Sequence, residues 1–253
     1  MAQIDHGYVR SRRGARPAVG VDAGLRAYLL SVYNYMSAGV FLSGVVAYLT
    51  FSAAVLERVG PGPRGLSGFG TLLYTSPLRW VVMLAPLAFV FLLSFGVHKM
   101  SLRAAQIAFW AFAAVMGVSL SSIFLVFTGT SIAQVFFVTA IAFGGLSLWG
   151  YTTKKDLSGW GTFLIMGVIG IIGAALVNLL LQSSALQFAI SAIGVLVFAG
   201  LTAYDTQRIR DIYFEVAGDA TAIGKAAVLG ALSLYLDFIN MFTMLLQLFG
   251  RRE

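Results

Sequence analysis

Seven long apolar runs divide this chain, and they decide what it can fold into. Their approximate limits are 29–55, 79–97, 104–127, 133–151, 160–181, 185–204 and 229–249. An α-helix needs about 20 apolar residues to cross the hydrocarbon core of a bilayer. The runs are continuous, whereas the strands of a membrane β-barrel alternate apolar and polar residues. The sequence therefore predicts an all-α polytopic membrane protein with seven transmembrane helices.

The composition agrees with this class and narrows the chemistry. Hydrophobic residues make up 59% of the chain and charged residues 11%, against about 25% charged in a soluble domain. The net charge of +7 does not indicate nucleic-acid binding, because the basic residues lie in short connectors between apolar runs. Cysteine is absent, which excludes disulfides, iron–sulfur clusters and thiolate zinc. Neither histidine has a partner at metal-ligand spacing and no phosphate-binding glycine loop is present, so no cofactor is expected.

The chain is predicted to form one domain, a membrane domain over residues 28–253 preceded by a basic tail over 1–27. The tail is interpreted as a solvated segment near anionic lipid, with a mitochondrial transit segment as the alternative. The first apolar run of the chain is too long for the hydrophobic segment of a secretory signal peptide. Two connectors are longer than the rest. Residues 56–77 are rich in proline and glycine and predict an irregular loop, and residues 205–226 are the most charged stretch of the chain.

The distribution of Lys and Arg predicts the orientation in the membrane. Twelve basic residues fall on the side of the N-terminus: Arg10, Arg12, Arg13, Arg16, Arg26, Lys99, Arg103, Lys154, Lys155, Arg208, Arg210 and Lys225. Five fall on the other side: Arg58, Arg64, Arg79, Arg251 and Arg252. Cytoplasmic loops carry the excess of Lys and Arg, so the N-terminus is predicted to be cytoplasmic and the C-terminus outside the cell membrane.

Polar residues line one face of each of the last two predicted helices. At 100° per residue, one stripe of the seventh consists of Ser233, Asp237, Asn240, Met244 and Gln247, and Tyr235 faces away from it. The matching stripe of the sixth consists of Gln187, Ser191, Gly194, Thr202 and Asp205. Asp205 is predicted at the cytoplasmic end of its helix, and Asp237 about two turns in from the same side.

A carboxylate inside a membrane is costly, about 2.5–3.5 kcal/mol at a helix centre. Asp237 is therefore interpreted as part of a water-filled site or ion path, and a structural hydrogen bond is the alternative. For Asp205 the alternative is a solvated carboxylate at a helix end. If the two lie close together they cannot both ionise cheaply, so they could share a proton, bind a cation transiently, or pair with a basic group.

Two residues at the end of the second run are candidates for that basic group or for a second titrating group. Lys99 closes the run, and His98 beside it titrates near neutral pH when exposed. An interfacial Lys–His pair without function is the alternative. Ser233, Asn240 and Thr202 are the polar neighbours expected beside the aspartates.

Several motifs resemble the Bax inhibitor-1 family of membrane proteins, in its bacterial branch. LTAYDTQRIR (201–210) and GALSLYLDFINMF (230–242) resemble the paired signature of the family. GTSIAQVFFVTA (129–140), GYTTKKDLS (150–158) and ALQFAISAIGVLVFAGL (185–201) resemble its bacterial members. The resemblance runs from about residue 28 to the end of the chain.

The resemblance implies six helices around a central seventh, and a pH-sensitive calcium leak that serves calcium homeostasis. It also implies that the paired aspartates of the family are Asp205 and Asp237. Bacterial relatives can latch the first aspartate with an arginine at the end of the second helix, where this chain has His98 and Lys99 instead. The family also includes a modulator of a membrane protease, so regulation of a protein partner is the alternative function.

An intramembrane aspartyl protease is a third, remote interpretation. Tyr204-Asp205 fits the Tyr-Asp motif on the sixth helix of those enzymes. Their Gly-x-Gly-Asp motif does not fit, because Leu234, Tyr235 and Leu236 precede Asp237. The sequence therefore predicts a membrane protein without enzymatic activity.

Overall fold

The computed structural model describes residues 23–56 and 65–252, so residues 1–22 of the predicted basic tail lie outside the described residues. Helices make up most of what it describes. Their bounds are α1 Ala23–Ala54, α2 Gly68–Tyr74, α3 Leu78–Gly96, α4 Leu102–Leu120, α5 Ile123–Val126, α6 Gly129–Thr152, α7 Ser158–Leu181, α8 Ser184–Val216 and α9 Ala220–Phe249. One 3₁₀ turn, Val97–Lys99, joins α3 to α4.

Seven stretches of these helices are long and apolar enough to cross a membrane, which confirms the predicted all-α polytopic class. Six of them are α1, α3, α6, α7, α8 and α9, and the third span combines α4 and α5 as Leu102–Val126. Inside the predicted irregular connector 56–77, the structure contains the short helix α2, so the prediction of an irregular loop was wrong for residues 68–74. Ser67 starts that helix by accepting a hydrogen bond from the backbone N–H of Gly70.

The predicted loop 205–226 is the largest error of the sequence analysis. α8 continues through it to Val216, and α9 already begins at Ala220, which leaves three residues between the two helices. Asp205 therefore lies well inside α8 and not at its end. The segment was misread because its charges end the apolar run, although charged residues with good helix propensity can continue a helix beyond the membrane.

Helix starts are set by side-chain caps that sequence patterns often mark. The side chains of Ser101, Thr128 and Ser183 each accept a hydrogen bond from a backbone N–H in the first turn of α4, α6 and α8. Asp219 caps α9 in the same way, accepting from the N–H groups of Thr221 and Ala222. These caps satisfy backbone donors that the helix itself leaves free, so the tight turn at 217–219 can start a new helix at once.

α9 is the central helix, as expected. Buried residues make up 67% of its spanning stretch and at most 39% of any other. It packs most extensively against α8 and also contacts α1, α3, α4 and α6, while α7 packs against the outer side of α8. Aromatic rings fill the space between α9 and α4, where Tyr235 contacts Phe112 edge to face at a centroid distance of 5.1 Å.

Two glycines let neighbouring helices approach to backbone contact. A Cβ atom on Gly117 of α4 would lie 2.7 Å from the carbonyl oxygen of Ser43 in α1. A Cβ on Gly150 of α6 would lie 2.9 Å from the Cα of Ala203 in α8. Small residues at such positions allow close packing of membrane helices. Gly150 thereby sets the distance between α6 and α8, the helix that carries Asp205.

Candidate functional site

The carboxylate of Asp237 is buried in the middle of the central helix. The residue is 4% exposed, and its Oδ2 atom has no hydrogen-bond partner among the described residues. Buried polar atoms without a partner are rare and costly in proteins. The structure thus shows no hydrogen bond that would give this oxygen a purely structural role.

The structure brings Asp205 of α8 next to Asp237, close enough for direct repulsion between the two carboxylates. Asp205 is partly buried, and the guanidinium group of Arg208, one turn further along α8, attracts it. The helices packed around α9 are α1, α3, α4, α6 and α8, and of these only α8 contains acidic residues. Asp237 therefore has carboxylate neighbours on one helix alone.

The polar stripes of α8 and α9 face each other along an antiparallel seam. Near the end of α8 and the start of α9, the side chain of Ile209 packs over Gly230, and further along the seam Met244 packs over Gly194. At the far end, Ser191 donates a hydrogen bond of 3.1 Å to Oε1 of Gln247, and the amide of Gln187 contacts the same oxygen. This register places Thr202 about level with Asp237.

The polar neighbours predicted beside the aspartates lie in the same seam but bond to the backbone. Thr202 is fully buried and donates to the carbonyl of Phe198 at 2.8 Å. The side-chain amide of Asn240 donates to the carbonyl of Leu236 at 2.8 Å. Ser233 is half-buried on the same face of α9. Among the described residues, neither Thr202 nor Asn240 donates a hydrogen bond to the aspartates.

The candidate latch is not engaged in this conformation. Lys99 is exposed, and within the described part of the chain it forms no ion pair with Asp205 or Asp237. The side chain of His98 lies outside the described residues. Arg208 is instead the cation that acts on Asp205. The latch role of Lys99 and the titrating role of His98 stay predictions.

Sequence reasoning missed a second buried polar cluster on the opposite face of α9. The Tyr235 hydroxyl lies 2.6 Å from Ser43 Oγ, which also lies 2.6 Å from the carbonyl oxygen of Ala113. Ser43 has one hydrogen to give, so the arrangement that satisfies every atom has Tyr235 donating to Ser43 and Ser43 donating to Ala113. The cluster joins α9, α1 and α4. Only the spacing of Tyr235 from the polar stripe hinted at its separate environment.

The two aspartates could hold a cation only weakly. Calcium takes about six to eight oxygen ligands, and two carboxylates supply at most four. Among the described residues, no group of three or more His, Cys, Asp or Glu side chains could hold a metal ion. Two carboxylates at close range can share a proton or contact a cation briefly.

Comparison with known proteins identifies the family. Residues 25–253 match the family described as "Inhibitor of apoptosis-promoting Bax1". The chain is 46% identical to an uncharacterized protein of Caulobacter vibrioides, over 99% of this chain and 98% of that protein. It is also 46% identical to the inner membrane protein YbhL of Escherichia coli, over 91% of this chain and 94% of YbhL. A protein of Rickettsia prowazekii is 44% identical over 92% of both chains. The chain therefore belongs to the Bax inhibitor-1 family of membrane proteins.

Proposed function

We propose that this protein is a slow cation leak, with calcium as the transported ion, that is controlled by protons at the Asp205–Asp237 pair. The observation that carries the proposal is the buried Asp237, whose Oδ2 has no hydrogen-bond partner among the described residues and which the carboxylate of Asp205 repels. An ionisable residue inside a membrane is costly and typically serves transport or proton transfer.

A pair of carboxylates couples protons to cations by electrostatics alone. With one shared proton, the pair carries a single negative charge and the helices can stay closed around it. Loss of that proton creates a second charge in a site where Asp237 is buried and Asp205 is partly buried. The repulsion is relieved when α8 and α9 separate or when a cation binds. Proton and cation thus compete for the same oxygens.

The seam between α8 and α9 is the route that we assign to the ion. It connects the aspartates with Ser191 and Gln247 at the other end of the two helices. Between these polar groups, Met244 packs over Gly194 and closes the seam. The side chain of Met244 is flexible, so a small separation of α8 and α9 would open this constriction.

Calcium flux into proteoliposomes tests the proposal. Purified wild-type protein is expected to admit calcium faster than empty liposomes do, at a rate that changes with pH. Asp205→Asn and Asp237→Asn should each shift the pH response, and the double variant should add little to either, because residues that share a proton are non-additive. Gly145→Ala, on the outer face of α6, serves as the control. Flux equal to that of empty liposomes at every pH would refute the proposal.

The same pair of carboxylates permits one other chemistry, activation of water for peptide hydrolysis. The residues before Asp237 lack the Gly-x-Gly motif of intramembrane aspartyl proteases. Cleavage of a transmembrane peptide by the wild type, lost in Asp237→Asn, would favour that function over a leak. A protein that only regulates a partner would instead show neither calcium flux nor peptide cleavage in these assays.

The location that we propose is the bacterial inner membrane, where YbhL is found according to its name. The N-terminus faces the cytoplasm, as the positive-inside rule predicts from the twelve basic residues on that side. The starts of α1 and α9 and the ends of α6 and α8 lie at one end of the bundle, because Tyr28 of α1 contacts Tyr213 of α8 and Arg210 of α8 donates to the carbonyl of Tyr151 in α6. Among the described basic residues, Arg26, Lys154, Arg208 and Lys225 therefore share a side, which supports this orientation.

A further inference from the structure

A deep apolar groove runs between α1 and α6, with α9 as its floor. α1 and α6 each pack against α9 but leave between them a cavity of about 710 Å³. Phe136 and Phe143 of α6 and Phe238 of α9 line its inner wall. Leu30 and Phe41 of α1 line its outer edge and are 53% and 74% exposed. The groove therefore opens sideways, toward the bilayer.

One end of this groove carries a positive charge. Arg26 lines the groove near the start of α1, is exposed, and has no ion pair among the described residues. Tyr151, at the end of α6, lines the same end. Arg210 donates a hydrogen bond of 2.8 Å to the carbonyl of Tyr151, but it is already paired with Asp211 at 3.0 Å. Among the described residues that line the groove, Arg26 is thus the cation without an ion pair, and it can bind a ligand.

We propose that this groove binds one anionic phospholipid of the surrounding bilayer, with its phosphate at Arg26 and an acyl chain along the apolar wall. The dimensions fit. From Arg26 to Phe41, α1 rises roughly 22 Å at 1.5 Å per residue, and half of a bilayer, including its headgroup region, measures about 20–22 Å. A lipid whose headgroup lies at Arg26 can therefore extend its chain along the full groove. Tyr side chains such as Tyr151 favour the headgroup level of a membrane.

Charge decides which lipid the groove prefers. Every lipid supplies acyl chains for the apolar wall, but only an anionic headgroup keeps a net negative charge opposite Arg26. A basic side chain near an anionic membrane surface contributes about 1 kcal/mol, a factor of about five in binding. This preference does not depend on the proposed ion leak, because Arg26 and the groove lie apart from the α8–α9 seam.

The test is native mass spectrometry of the purified full-length protein with phosphatidylglycerol or phosphatidylcholine of identical acyl chains. The wild type should retain one phosphatidylglycerol about fivefold more tightly than phosphatidylcholine. Arg26→Gln should remove this preference, and Arg103→Gln, at the start of α4 outside the groove, should keep it. Gly144→Phe should reduce the binding of both lipids, because Gly144 lines the groove and has open space around its Cβ position.

Gly145→Phe is the matched control for the steric variant. Gly145 is the next residue of α6, also has open space at its Cβ position, and lies outside the groove. It should bind lipid as the wild type does. Equal retention of the two lipids by the wild type, or an unchanged preference in Arg26→Gln, would overturn the proposal. Loss of preference in Arg26→Gln with full binding in a folded Gly144→Phe would also overturn it, since the headgroup would then bind without the groove.

Discussion

At the scale of single residues, α9 buries one polar side chain on each of two opposite faces, and the two side chains differ in their hydrogen bonding. Tyr235 is fully buried and its hydroxyl is bonded to Ser43. Asp237, two residues further, is buried, and its Oδ2 has no hydrogen-bond partner among the described residues. The first group is satisfied and stabilises the contact of three helices. The second is costly to bury as it stands, and a proton, a cation or water would reduce that cost.

The Tyr235–Ser43 contact predicts an order of stabilities. Ser43→Ala leaves the Tyr235 hydroxyl buried without an acceptor and should cost about 1–3 kcal/mol. Tyr235→Phe removes the hydroxyl itself, while Ser43 keeps its bond to the carbonyl of Ala113, so its cost should be about 0.5–1.5 kcal/mol. Thermal unfolding of the two variants in detergent measures the order. A larger loss for Tyr235→Phe would contradict the assigned direction of the hydrogen bonds.

The sequence revealed the aspartates but not the tyrosine, for a physical reason. A carboxylate in an apolar run has few harmless explanations, so Asp237 was informative by itself. A tyrosine is amphipathic and is common both in cores and at membrane interfaces. Its burial beside Ser43 depends on how α1 and α4 pack against α9, which hydrophobic periodicity does not encode.

At the scale of helices, the approach of α6 to α8 is set by Gly150. A methyl group there would lie 2.9 Å from the Cα of Ala203, and backbone atoms cannot move aside as a flexible side chain can. Gly150→Ala should therefore destabilise the protein by about 1–3 kcal/mol, although alanine favours a helix. The melting temperature in detergent measures the effect.

Gly145→Ala is the control for that prediction. It lies on the same helix, and a Cβ there meets open space. Its effect should be neutral or slightly stabilising, as helix propensity predicts. Equal melting temperatures for the two alanine variants would show that α6 and α8 approach less closely than the structure indicates.

The apolar runs predicted the existence of all seven spans but not all of their ends. From the sequence, the end of a span is predicted at the point where charged residues begin. The helix itself continues while its backbone hydrogen bonds are satisfied and no residue breaks it, as α8 does to Val216. Gly218, with a φ of 106°, is the residue that ends this continuity. The position of each aspartate along its helix depends on where the helix ends. Because the sequence did not predict these ends, it did not predict the positions of the aspartates along α8 and α9.

At the scale of the whole molecule, the orientation in the membrane can be measured with single cysteines, since the chain has none of its own. Lys154 follows α6, and Arg251 lies beside the start of α6, where its backbone carbonyl oxygen accepts a hydrogen bond of 2.9 Å from the N–H of Thr128. The 24 residues of α6 place them about 36 Å apart. In intact spheroplasts, Arg251→Cys should react with an impermeant thiol reagent, and Lys154→Cys should react only after lysis.

The reverse labelling pattern would place the N-terminus outside. It would also move Arg26 and its lipid groove to the outer leaflet. Labelling of both cysteines in intact spheroplasts would indicate a mixed orientation, and the positive-inside argument would then fail for this chain.

The central claim is that protons act through Asp237, and the pH profile of calcium flux in Asp237→Asn liposomes tests it most directly. Asparagine keeps the size and hydrogen-bonding capacity of the side chain but cannot titrate, and it is less costly in a membrane than a charged carboxylate. The variant should therefore fold, and its flux should lose most of its dependence on pH, because the side chain at position 237 no longer binds and releases a proton. A folded Asp237→Asn protein that conducts calcium with the wild-type pH profile would contradict the account and leave Asp237 a structural residue.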